Sequence, residues 1–180
     1  MEIAIENTEL IAYLCALIGP FIQEDAAVLG AASASVSGLG TPLWMFVAVT
    51  IGLTLSDLWK YWLGRAAITQ GWAKKYAQSP KILKTKDNIV HNLGKSIMVA
   101  RFIPGARIPL YIAAGFFRAS FLKFSLFIFV SALIYIGIAF ALFNALGEVA
   151  GEEAKKYLPI VAIIGFIALL VFKRIKRSAE

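Results

Sequence analysis

The chain has a single cysteine, Cys15, and a single histidine, His91. One cysteine excludes an internal disulfide and any cysteine-rich zinc site. One histidine excludes every mechanism that needs two. Charge is scarce as well: charged residues are 16% of the 180, where soluble domains carry about a quarter. Acids are outnumbered by bases, 11 to 18, for a formal net charge of +7. Hydrophobic residues reach 59% and the mean hydropathy is +0.75. Such a composition excludes disorder, which needs low hydrophobicity, and an ordinary soluble enzyme fits it poorly. A small integral membrane protein remains.

The basic balance does not point to nucleic acid, because no basic helix interleaves with aromatics. The lysines and arginines lie between or beside apolar runs instead, which is a positive-inside pattern. About 20 helical residues span a bilayer core, and three segments qualify as spans: 42–63, 120–146 and 159–172. Thr41 and Pro42 read as the N-cap and first helical position of the first. The third is short, and Tyr157 with flanking lysine stems extends it.

Two further apolar segments are broken. Segment 10–39 carries Gly19, Pro20 and the acids Glu24 and Asp25, then a small-residue run from 30 to 35. Segment 96–117 carries Pro104, Gly105 and Pro109 with Arg101 and Arg107. Proline removes a backbone donor, and freed backbone groups are tolerated at membrane depth only against protein or a wet cavity. Both segments read as re-entrant helix–turn–helix hairpins. The stretch 65–95 is basic (Arg65, Lys74, Lys75, Lys81, Lys84, Lys86 and Lys95 against Asp87), and Trp72 with Tyr76 suggests an interfacial helix within it. The tail 173–180 is basic, whereas the N-terminus and the stretch 148–156, read as a loop, lean acidic.

Positive-inside logic then gives a multi-pass protein of the cytoplasmic membrane, N-terminus outside and C-terminus in the cytoplasm. The expected fold is all-α: two oppositely oriented re-entrant hairpins plus about three transmembrane helices, an inverted-repeat transporter-like arrangement in one membrane domain. The hairpins would meet near the midplane. Residues 1–10 lack a basic n-region, and no small-residue cleavage site follows, so a cleaved signal peptide is not expected.

Ionisable groups at membrane depth are costly and usually functional. Glu24 and Asp25 lie at the turn of the first hairpin, Asp57 is one helical turn from Tyr61, and Arg101 and Arg107 flank the turn of the second. Plainer roles stand beside functional ones. The arginines could anchor to headgroups, the two acids could favour a helix N-terminus, and Asp57 could pair with Lys60 or an arginine. His91 reads as solvated, and Cys15 as a small buried apolar residue. Taken together, guanidinium forks suit bidentate phosphate binding, and a carboxyl withdrawn from water can exchange protons. Backbone N–H groups freed at Pro104 and Gly105 could also face an anion.

Arg101, Phe102, Ile103, Pro104, Gly105, Ala106 and Arg107, followed by Ala113, Ala114 and Gly115, resemble the arginine motif of DedA-type membrane proteins. That family is also called SNARE-associated or VTT-domain. Asp57, Tyr61, Gly64 and Arg65 are similar to its second signature, with Ser56 where glycine usually precedes the aspartate. Glu24, with Gly30 behind it, resembles the family's acidic position in the first hairpin, although Gln23 and Asp25 flank it where Pro-Gly often precedes the acid. The likeness covers roughly residues 10–145. It implies a lipid transporter: bacterial members are associated with returning undecaprenyl phosphate across the membrane, and eukaryotic relatives with scrambling phospholipids. By position it implies that Arg101 and Arg107, with Gly105, hold a lipid phosphate. Glu24, Asp25 and Asp57 would couple to protons or pair with the arginines, and Pro104 and Tyr61 would support the site.

The expected activity is therefore flippase or scramblase transport of an anionic lipid, with protons or cations as candidate coupling partners and no cofactor or metal. A proton- or cation-coupled solute exchanger using Glu24 and Asp57 is the runner-up. A lipid phosphatase is less favoured, since one histidine in a polar loop gives no nucleophile and acid pair. The small residues at 30–34 suit close helix packing within one chain or between two, so a homo-oligomer is left open.

Overall fold

Proline, glycine and a few polar residues decide where this apolar chain breaks. The computed structural model describes residues 2–70, 89–103 and 105–155, with side chains described for 7–70, 89–103 and 105–147. The expected third span at 159–172, the basic tail, Pro104, and the interfacial helix with Trp72 and Tyr76 lie outside them. Among the described residues the regular structure is all α-helical: α1 (Glu2–Ile22), α2 (Glu24–Val36), α3 (Pro42–Ala67), α4 (Leu93–Phe102), α5 (Arg107–Phe116) and α6 (Phe121–Lys155).

The chain divides into two compact units. Unit 1 comprises Met1–Leu53 and Ile136–Glu180, and unit 2 comprises Thr54–Tyr135. In unit 1, α1 continues through Pro20 and breaks at Gln23, a single extended residue (φ −149°, ψ 104°). Proline costs one bond near a helix end, where little helix remains to be lost, so the break falls three residues later. The chain then reverses. The Gly19 Cα lies so near Ala27 that an added Cβ would sit 3.0 Å from the Ala27 Cβ. At the other end of the hairpin, the Thr41 N–H donates to the Tyr13 hydroxyl at 2.8 Å. Gly40, at φ +108°, leaves no room for a Cβ beside the Tyr13 ring.

In unit 2 the second hairpin turns at residues 103–106. Ile103 is extended, Gly105 takes φ +83°, and α5 begins at Arg107. Pro109 sits in the first turn of α5, where its missing N–H costs nothing. Both hairpins end alike. Leu39 N–H bonds to Ala34 C=O past Gly38 (φ 77°), and Ala119 N–H bonds to Ala114 C=O past Arg118 (φ 56°). These are Schellman turns, which close a helix through one left-handed residue. Each feeds a long helix: the order helix, break, helix, Schellman turn, long helix occurs twice.

Two described helices are long and apolar enough to cross a membrane, Pro42–Ala67 and Phe121–Gly147. On α3 the polarity is inverted relative to a soluble helix. Its buried stripe carries Thr50, Ser56 and Asp57, while Trp44, Ile51, Leu55, Trp59 and Trp62 are exposed. On α6, Ser131 is buried while Leu122, Leu126, Ile138 and Leu142 are exposed. Apolar exteriors of this extent are at home in hydrocarbon, not in water.

Two expectations are corrected. Cys15 is exposed on α1 rather than buried, and a small weakly polar thiol costs little on a face of leucine and isoleucine. The acidic stretch after Leu146 was expected to be a loop, yet α6 runs unbroken to Lys155. Alanine, glutamate and lysine there are good helix formers, and they outweigh Gly147 and Gly151.

In unit 2, α3 and α5 are in backbone contact. A Cβ on Gly115 would overlap the Tyr61 carbonyl, and one on Gly64 would overlap that of Ile112. Gly115→Ala gains about 1 kcal/mol of helix propensity. The overlap with rigid backbone costs more, since overpacking alone runs to about 1–3 kcal/mol. The detergent-solubilised variant is therefore expected to melt several degrees below wild type, and an unchanged or raised Tm contradicts the crossing.

Candidate functional site

The buried stripe of α3 brings Asp57 inward at the level of unit 2. α4 delivers Arg101 from its last turn to the same place. Arg101 Nη2 donates to Asp57 Oδ2 at 2.9 Å, with both side chains fully buried. Lys60, one turn along α3, approaches the other oxygen: its Nζ is 3.1 Å from Asp57 Oδ1 and 3.2 Å from Ser56 Oγ. One carboxylate is thus shared by two cations, one from its own helix and one from α4.

α6 completes the arrangement. Arg101 Nε and Nη2 donate to Ser131 Oγ at 3.3 and 3.0 Å, and Nη2 reaches the Ile128 carbonyl at 3.4 Å. Ser131 in turn donates to Ile128 C=O at 2.9 Å. Arg101 Nη1 is buried and has no hydrogen-bond partner among the described residues. Breaking such a buried pair leaves an uncompensated charge, which is far costlier than the net worth of the pair itself.

Arg107 opens α5 on the other side of the turn. Its side chain is largely buried (residue exposure 6%), and its guanidinium lies 5.8 Å from the centroid of the Tyr135 ring. Phe102 meets the same ring edge-on at 6.5 Å. The first N–H groups of a helix and its positive dipole end favour an anion, and a guanidinium there adds to that field. Gly105, at its left-handed φ, makes the turn that brings the two arginine-bearing helix ends together.

Tyr61 is buried one turn from Asp57. Its hydroxyl donates to the Ala119 carbonyl at 2.7 Å, and its ring packs on Phe124 with centroids 4.9 Å apart. It ties α3 to the Schellman turn that closes the second hairpin. Glu24 and Asp25 belong to unit 1, half-buried in the first turn of α2. There they complement the helix dipole. His91 is exposed, as expected for a solvated side chain.

Unit 2 therefore gathers Asp57, Tyr61, Arg101, Gly105 and Arg107. Asp57 pairs with both partners that its sequence position left open, Lys60 and an arginine. Ser131 and Tyr135 escaped the sequence reading, since each looks like an ordinary residue of an apolar span. The spacing of Ser131 one turn from Ile128, on the buried side of α6, is visible only once the helix has a partner.

All-helical described residues, two helices long and apolar enough to cross a membrane, apolar residues outward and an ion pair inward are the features of a membrane protein. Residues 25–145 match the VTT domain. The chain belongs to the VTT-domain, or DedA, family. It is also similar to an uncharacterized membrane protein of Haemophilus influenzae, 28% identical over 99 residues that make up 52% of this chain and 47% of that protein. The chain thus spans about half the length of this curated relative. No solved structure matches it.

Proposed function

We propose that the protein moves a phosphate-bearing lipid, such as undecaprenyl or another polyprenyl phosphate, across the cytoplasmic membrane as a flippase or scramblase. The observation that carries this reading is the tip of the second hairpin. Two arginines flank its turn, one starting a helix, and both are largely buried in a protein whose exterior is apolar. A ligand that brings an anion into such a place while keeping a hydrocarbon body has the chemistry of a lipid phosphate.

Helix lengths favour a re-entrant reading of the second hairpin and of the second half of the first, whose α1 has 21 residues. α4 and α5 have 10 residues each, about 15 Å at 1.5 Å per residue, half of a 30 Å hydrocarbon core. α2, with 13 residues, is also too short to cross. The repeated order of elements fits an inverted-repeat transporter. In this reading Arg107, with Arg101 and the Gly105 turn, receives the phosphate, and Glu24 and Asp25 serve coupling to protons or cations. Lipid tails stay in the bilayer, and no covalent chemistry is involved. The basic stretch 65–95 supports an orientation with the N-terminus outside and that stretch on the cytoplasmic side.

Proteoliposomes carrying a headgroup-labelled polyprenyl phosphate test this. Wild-type protein is expected to make the inner-leaflet label accessible to an external quencher, while protein-free vesicles keep their sidedness. Sidedness kept with wild type, together with flux of a soluble ion, would move the reading to an exchanger.

A further inference from the structure

We infer that Lys60 is a stand-in cation for Arg101: it holds the Asp57 carboxylate when Arg101 leaves to engage the transported lipid. This rests on the proposed lipid transport and assigns a role to a residue that lies between the signature positions Asp57 and Tyr61.

The geometry is asymmetric. Lys60 and Asp57 share α3 at a spacing of three residues, so helix geometry alone keeps the ammonium beside the carboxylate. Arg101 comes from α4, in the turn of helix that precedes the hairpin tip. The two cations use different oxygens, Lys60 on Oδ1 and Arg101 on Oδ2, so neither must move for the other to bind. Arg101 is moreover only partly satisfied where it stands, with Nη1 buried and unpartnered among the described residues. Buried polar atoms left in this way call for an explanation. A donor waiting for a phosphate oxygen is one.

Without Lys60, withdrawing Arg101 would leave a fully buried carboxylate with neither of these cations, which is the expensive way to break an ion pair. With Lys60, the carboxylate keeps a cation and the Arg101-released state costs less. A ligand shifts such an equilibrium only by its differential affinity, so Lys60 lowers what the lipid must supply. Lys60 can do this from a site 12% exposed, with its stem packed and its ammonium on Asp57 and Ser56.

A double-mutant cycle tests the pairing without any transport assay. Arg101→Gln alone is expected to fold and to lose part of the wild-type Tm. In a Lys60→Met background the same change is expected to lose at least about twice as much. If the double variant does not accumulate, Lys60→Gln replaces Lys60→Met in the cycle, with the same excess loss expected. Additive Tm losses, or an Arg101→Gln protein that does not fold although Lys60 is present, overturn the inference.

The transport arm uses saturating labelled polyprenyl phosphate. Lys60→Met is expected to slow the maximal rate about tenfold, the factor that 1.4 kcal/mol corresponds to, and Lys60→Arg to restore it. A non-additive cycle with an unchanged maximal rate makes Lys60 merely structural and also overturns the inference. If wild type moves no lipid, the transport reading falls on its own, and the cycle alone decides whether Lys60 stands in for Arg101.

Discussion

Asp57→Ala is expected to cost about 3–5 kcal/mol of stability, enough to prevent accumulation of folded protein or to lower its Tm by many degrees. The carboxylate is fully buried between Arg101 and Lys60. Its removal leaves the Arg101 guanidinium inside the protein with Ser131 and a backbone carbonyl as its partners. Neither carries charge. Lys60 is less affected, since a partly exposed ammonium on a flexible stem can swing outward. Removing both members of the deep pair is expected to be milder: Asp57→Leu with Arg101→Met leaves neither charge without its partner, and apolar replacement of such pairs is often neutral. Thermal melts of the purified variants in one detergent check both statements. Asp57→Ala melting within a degree or two of wild type contradicts the pair as a structural lock.

Arg107→Ala is expected to do the opposite, sparing the fold and abolishing lipid movement. Among its contacts, the one between its guanidinium and Tyr135 is worth about 0.5–2 kcal/mol by general cation–π estimates, and the change to alanine takes the charge away rather than stranding it. What alanine removes is the fork at the head of α5. Lysine at this position retains charge but loses bidentate geometry, so Arg107→Lys is expected to fall between wild type and alanine in transport. The same logic explains why an Arg101→Ala variant is a poor probe of binding. Arg101 serves the lock, and its loss confounds folding with function.

Much of this arrangement was legible in the chain because the physics is local. Pro104 beside Gly105 in the middle of an apolar run announces a break there, and the pieces left on either side are short. The apolar length of α3 and α6 is likewise local. The exact break of the first hairpin was less legible, since Pro20 near a helix end can be absorbed and Gln23 carries no turn signal. The lock was the least legible part. Asp57 and Arg101 are 44 residues apart, and no periodicity within one helix tells which of several cations a buried acid will meet. Ser131 is a small residue in a long apolar helix until Arg101 arrives beside it. Gly64 and Gly115 stood out as motif positions, but the reason for them, each facing another helix's backbone, shows only in the fold.

The central claim is that Arg107 recognises the phosphate of a lipid on a scaffold locked by Asp57 and Arg101. Native mass spectrometry of detergent-purified protein, titrated with a short-chain isoprenyl phosphate and with the matching isoprenol, tests it most directly. Wild type is expected to retain the phosphate and release the alcohol, and Arg107→Ala, with an unchanged melt, to release both. Equal retention of the phosphate by Arg107→Ala, or of the alcohol by wild type, would contradict the account.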